Sequence, residues 1–159
     1  MFDTILVPYD GSDHSQRALS CAVQLADSTE PVTIIVLHAV QMVDSSDPSF
    51  LVAMKMAEAS PLDLKDARSM FDRYIAEHEK EVKERIGEYF SALPDNIDIK
   101  IVVVEGKPQE VIKEYAEDDQ NDIECIIMGR RGLGAIRGAL GSVSFSVLHN
   151  VDLPIMLVR

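Results

Sequence analysis

Acid is missing from one long stretch of a chain otherwise rich in it. Between Glu124 and Asp152 lie 27 residues without Asp or Glu, although the chain carries 27 acids in 159 residues and a formal net charge of -12. At that average about five acids would fall in the gap. Other absences narrow the possibilities. Only Cys21 and Cys125 are present; each sits among apolar residues, neither in a CxxC nor in a zinc spacing, and they read as two buried thiols in a reducing compartment. No apolar run approaches the roughly 18 residues that a membrane helix needs. The start, "MFDTILVPYDGS", has no basic region before its apolar run and soon meets Pro8, so no signal peptide is expected and a cytoplasmic location is. No broad basic face is available to neutralise phosphates along a nucleic acid, so neither nucleic acid nor membrane is an expected partner.

What is there reads as a single globular domain over residues 1–159, with 47% apolar and 26% charged residues. Short, β-branched apolar runs predict five strands: Thr4–Pro8, Val32–Val40, Ile97–Val104, Ile123–Gly129 and Leu153–Val158. Apolar residues at consecutive positions suit strands covered on both faces, as in a parallel sheet. Helical periodicity lies between them, over Ser12–Ala26, Leu64–Leu93, Pro108–Ala116 and Ser142–His149. Ser12 and Asp13 are cap candidates for the first, and Pro108 suits the first turn of the third. The long second helix carries one apolar stripe, including Phe71, Tyr74, Ile75, His78, Val82 and Ile86, and is expected to pack on the sheet. Met42–Pro61 has no clear period and reads as a long loop. Alternating strands and helices imply right-handed βαβ units. The predicted fold is therefore α/β: an open five-stranded parallel sheet with helices on both faces, Rossmann-like. Ligands in such sheets sit beyond the carboxyl ends of the strands, where "PYDGSD" and "GRRGLG" would meet.

Five of the eight glycines and three arginines fall in "MGRRGLGAIRGALGSVSFS", Met128 to Ser146. The Walker template fails, because no Gly-Lys-Ser or Gly-Lys-Thr occurs. The dinucleotide fingerprint nearly appears in Gly132, Gly134 and Gly138, but its last spacing is one residue too long. Asp152, which would have to reach the ribose, precedes the last strand instead of ending one. A simpler arrangement remains. A strand runs into glycines that let backbone N–H groups approach a ligand, and the loop returns through Gly141-Ser142 into a helix N-terminus. Free N–H groups, the positive end of the helix dipole and nearby hydroxyls would make an anion site there. The alternative is a surface loop whose glycines only turn corners.

Four segments carry a resemblance that spans nearly the whole chain: "ILVPYDGSDHSQRAL", "VLHAV", "VEGKPQEVI" and the ending "IIMGRRGLG…GSVS…V…LPIMLVR". The chain resembles the universal stress protein family, whose fold is that of the adenine-nucleotide alpha-hydrolases. Members similar in this last stretch bind ATP through G-x2-G-x9-G-[ST]. Gly129, Gly132 and Gly141-Ser142 match it, with Leu133–Leu140 one residue shorter than the pattern. The resemblance implies that Asp10 reads the adenine edge with Pro8 alongside, and that the backbone of Ala39 contacts adenine. It puts Gly129 by the ribose and phosphates, and Gly132, Gly141, Ser142, Val143 and Ser144 around the triphosphate, with Mg²⁺ or Mn²⁺ on the phosphates. Arg130 and Arg131 either clamp phosphates bidentately or point into solvent.

Nothing in the sequence assembles a catalyst. Phosphoryl transfer needs a metal-holding acid and a group that orients water, and the glycine loop offers neither. No G-x-S-x-G occurs. Asp13 and His14 beside Ser12 and Ser15 diverge on one helical turn and suit capping. His38, His78 and His149 have no metal-ligand spacing. Binding and sensing, with at most slow ATP hydrolysis, is the expectation; a scaffold that binds no nucleotide is the alternative. Finally, Leu153–Val158 has no charge and only Pro154 near its start. As an edge strand it would need a cover. A two-fold partner laying its own last strand antiparallel through Ile155, Leu157 and Val158 supplies one, and the same homodimer is what the resemblance implies.

Overall fold

In the computed structural model the described residues are 2–26, 30–41, 64–90, 93–133 and 140–159. The predicted loop at 42–61 lies outside them, as do Gly134, Arg137 and Gly138. In chain order the elements are β1 (Thr4–Pro8), α1 (Asp13–Leu25), β2 (Val32–Val40), α2 (Leu64–Tyr89), β3 (Ile97–Glu105), α3 (Pro108–Glu117), β4 (Cys125–Gly129), α4 (Ser142–Asn150) and β5 (Ile155–Val158). A short 3₁₀ turn, Asp119–Asn121, leads into β4.

All strand pairs are parallel and the order is β3-β2-β1-β4-β5. The chain thus moves outward from β1 to β3, returns, and continues on the other side with β4 and β5. The reversal lies between β1 and β4, where an open α/β sheet leaves a crevice.

Alternation along the strands gives each face its own core. Ile5 and Val7 pack with Ile34, Val36, Ala18, Leu19, Val82 and Ile86 under α1 and α2. Leu6 points the other way, to Leu37, Ile126, Val111, Ile112 and Val147 under α3 and α4. Each fully buried aliphatic side chain of this kind contributes roughly 1.5–3 kcal/mol. The stripe on α2 is half-buried at Phe71, Tyr74, Ile75 and His78 and buried at Val82 and Ile86, so it docks on the sheet and needs no coiled-coil partner. Cys125 is buried, and burial, then the nearby Glu124 charge, pushes its thiol up to about 11. That thiol is inert packing.

Strand boundaries differ from the predicted ones by a residue or two, for local reasons, and α2 ends at Tyr89, four residues before the predicted Leu93. Asp122 adopts a left-handed conformation with φ 48°, which delays β4 to Cys125. Ile123 and Glu124 therefore lead into the strand without belonging to it. Pro154 has no N–H for the ladder, and β5 begins after it at Ile155, although the Pro154 carbonyl still accepts from Ile126 N at 2.9 Å.

Candidate functional site

At the crevice the carboxyl ends of β1, β2 and β4 and the first turns of α3 and α4 enclose a cavity of ≈ 490 Å³. Its walls include Pro8, Asp10, Ala39, Gly129, Arg131, Gly132, Gly141, Ser142, Val143 and Ser144. Residues more than a hundred positions apart are therefore gathered where the sequence placed them. Arg130 is the exception: it does not line the cavity, and its backbone N–H donates to the Val158 carbonyl at 2.8 Å. Sequence reasoning missed the apolar part of the lining, namely Leu37, Pro108, Ile112, Met128, Leu133 and Leu140, together with Tyr9 and Ser15. Met128 adjoins Gly129 and was within reach of inference. Pro108 and Ile112 arrive only through the crossover that lays α3 over the crevice.

Local chemistry explains the shape of each wall. After β1 the chain turns at Gly11, with φ +77°, a conformation suited to glycine. Arg85 from α2 lies so close above it that an added Cβ would fall 2.5 Å from Nη1. Ser12 then caps α1 by accepting from Ser15 N at 3.2 Å. Asp10 is held by both oxygens: Oδ1 accepts from Ser12 N at 3.0 Å and Oδ2 from Leu133 N at 3.2 Å. Each oxygen retains a second lone pair. A Cβ on Gly132 would collide with Asp10 Oδ2, so glycine there lets the loop rest on the carboxylate. Behind it, His38 Nδ1 lies 2.7 Å from the Tyr9 carbonyl, which fixes the strand end that presents Asp10.

The glycine loop is closed at its base. Gly141 N donates to the Arg130 carbonyl at 3.0 Å, which ties the start of α4 to the end of β4. A Cβ at Gly129 would sit 2.8 Å from His14 backbone, and glycine is what allows α1 to press on the end of β4. Ser144 is buried, and its hydroxyl donates to the Gly129 carbonyl at 2.9 Å. That hydroxyl is committed to the fold, whereas Ser142 is exposed on the cavity wall.

The start of α4 is chemically incomplete. Gly141 is its N-cap and no side chain caps it. The Ser142, Val143 and Ser144 N–H groups are in the first turn, where a helix supplies no acceptor. These residues line the cavity together with Arg131, and among the described residues Asp10 is the only carboxylate in that lining. Uncapped donors at the positive end of a helix, beside glycines that leave backbone accessible, suit a phosphate. The apolar walls opposite suit a flat ring. Among the described residues, no group of three or more His, Cys, Asp or Glu could hold a metal.

Fold and cavity define an α/β protein of the Rossmann-like kind with a cavity at its topological switch point. The universal stress protein family model matches residues 1–159, and the chain belongs to that family. Among curated relatives it is 32% identical, over all of both chains, to the universal stress protein in the QAH/OAS sulfhydrylase 3′ region of Thermus aquaticus. Among solved structures it is similar to the universal stress protein UspA of Lactobacillus plantarum, at 22% identity, 98% and 97% coverage and a TM-score of 0.70. Two further structures share the fold. One is a universal stress protein in complex with cAMP (24% identity, 99% and 97% coverage, TM-score 0.56). The other is an Arabidopsis thaliana family protein with AMP bound (15% identity, 98% and 90% coverage, TM-score 0.52).

Proposed function

We propose that this protein is an ATP-binding universal stress protein, a cytoplasmic module whose nucleotide occupancy alters its shape or its choice of partner. One observation carries the reading: the uncapped first turn of α4 and Asp10 line one cavity. The phosphates lie at that helix, with Gly129, Gly132 and Gly141 leaving room for them. Adenine lies toward Asp10, Pro8 and Ala39, against the apolar wall. Mg²⁺ or Mn²⁺ rides on the phosphates, and the chain's own groups bind and orient the nucleotide. With Asp10 engaged by the base, hydrolysis is slow at most. The occurrence of family structures with cAMP and AMP supports the reading.

A scaffold that binds no nucleotide is the second reading. It draws on the same carboxylate, since both Asp10 oxygens already accept a backbone N–H. Mass analysis of the small molecules extracted from protein purified without added ligand separates the two. An adenine nucleotide is expected, and a stoichiometric occupant of another class would replace the ATP reading.

Assembly belongs to the same proposal. β5 is an edge of the sheet, with Met156 43% exposed, and an apolar, uncharged edge invites pairing. A homodimer with antiparallel β5 strands covers it through Ile155, Leu157 and Val158. Among the described residues, no helix is long and apolar enough to cross a membrane.

A further inference from the structure

We propose a second anion subsite, outside the cavity, in which Arg17, Arg130 and Arg159 take the outer phosphates of a chain longer than the cavity alone holds. The inference rests on the nucleotide reading above and extends it to a ligand class: adenine nucleotides with extended polyphosphate tails.

The three arginines come from different elements and are fixed in place by backbone. Arg130 leaves β4 with its N–H on the Val158 carbonyl at 2.8 Å, which sets it beside the end of β5. Arg17, on α1, donates from Nη1 to the Arg159 carbonyl at 3.1 Å. Arg131, adjoining Arg130, lines the cavity against Gly141, where an added Cβ would lie 3.2 Å from the Arg131 Cα. A continuous path therefore runs from the donors of α4, past Arg131, to Arg130 and onward to Arg159 and Arg17.

Charge gives the path its meaning. None of the four ion pairs among the described residues involves Arg17, Arg130 or Arg159. Desolvation, then the neighbouring Arg131 and Arg159 charges, push the Arg130 guanidinium below its usual range. A chain of net charge -12 repels a polyanion that comes within a Debye length, roughly 8 Å, beyond which salt screens the charge. Arginines next in the chain to Arg131, which lines the cavity, and beside the end of β5 offset that repulsion locally, and guanidinium suits phosphate geometry.

The test is a calorimetric series on the full chain with AMP, ADP, ATP, adenosine 5′-tetraphosphate and inorganic tripolyphosphate, repeated for Arg130→Ser and for Arg17→Ser with Arg130→Ser. The wild type is expected to bind the tetraphosphate about 3- to 5-fold tighter than ATP, the scale of an exposed charge pair. The double variant should lose that increment and keep AMP affinity within about two-fold. Raising the salt concentration should erase the increment as well. A tetraphosphate no tighter than ATP, or equal losses for AMP and ATP, overturns the outer subsite and leaves the nucleotide reading standing. If no adenine nucleotide binds, that reading fails; tripolyphosphate binding that depends on Arg130 then keeps the subsite, and its absence removes both. A loosened dimer with an unchanged nucleotide series assigns the arginines to the β5 edge and also overturns the proposal.

Discussion

Asp10 serves two masters within one side chain. It braces the chain by accepting from Ser12 N and Leu133 N, and it lines the cavity. In the proposed pose its removal acts at the base. Asp10→Ala should weaken ATP by roughly 1–3 kcal/mol, the scale for losing one buried hydrogen-bonding partner, and should leave inorganic tripolyphosphate nearly unaffected. Equal losses for the two ligands in calorimetry would show that Asp10 only supports the loop. Sequence alone showed this residue as a turn former or as an adenine reader. The structure adds a third part, a brace for the glycine stretch, through a contact that crosses 123 positions of sequence and that no local pattern encodes.

At the scale of elements, Ser142 and Ser144 of α4 stand apart, one on the cavity wall and one committed to the fold. Ser142 stands exposed on the cavity wall, while Ser144 is buried with its hydroxyl on the Gly129 carbonyl. Ser144→Ala should therefore cost about 1–2 kcal/mol of unfolding free energy by leaving a buried carbonyl unpaired, with ATP affinity little changed. Ser142→Ala should do the reverse. Denaturant unfolding and calorimetry on both variants would reveal an exchange of these roles if the assignment is wrong. The strands and helices themselves were legible in the sequence, because consecutive apolar runs and 3.6-residue stripes dictate how a segment buries its surface. The ends were less so: Asp122 and Pro154 shift β4 and β5 inward through backbone conformation and a missing donor. The glycine motif revealed one side of the site. The opposite wall, with Pro108 and Ile112, depended on how a crossover folds over the sheet, and local periodicity carries no record of that.

For the whole molecule, charge and edge set the behaviour. The acid-free stretch from Cys125 to Val151 supplies the cavity's β4 end, the described parts of the glycine loop and α4, so the one region without acid borders the one proposed to meet an anion. The other exposed feature of the same half is β5. Light scattering should report a dimer for the wild type and a monomer, or a much weaker dimer, for Leu157→Asp, which places a charge in the contact. A monomeric wild type, or a variant dimer of unchanged strength, rules out this interface.

The central claim is that the α4 end of the cavity holds the phosphates of ATP. Isothermal titration of the purified chain with ATP and Mg²⁺ tests it most directly, with Gly132→Val beside the wild type. Saturable binding to the wild type is predicted. Strong loss is predicted for the valine, whose side chain would displace Asp10 and fill the space that the backbone needs. A wild type that takes up no ATP at millimolar concentration would contradict the claim.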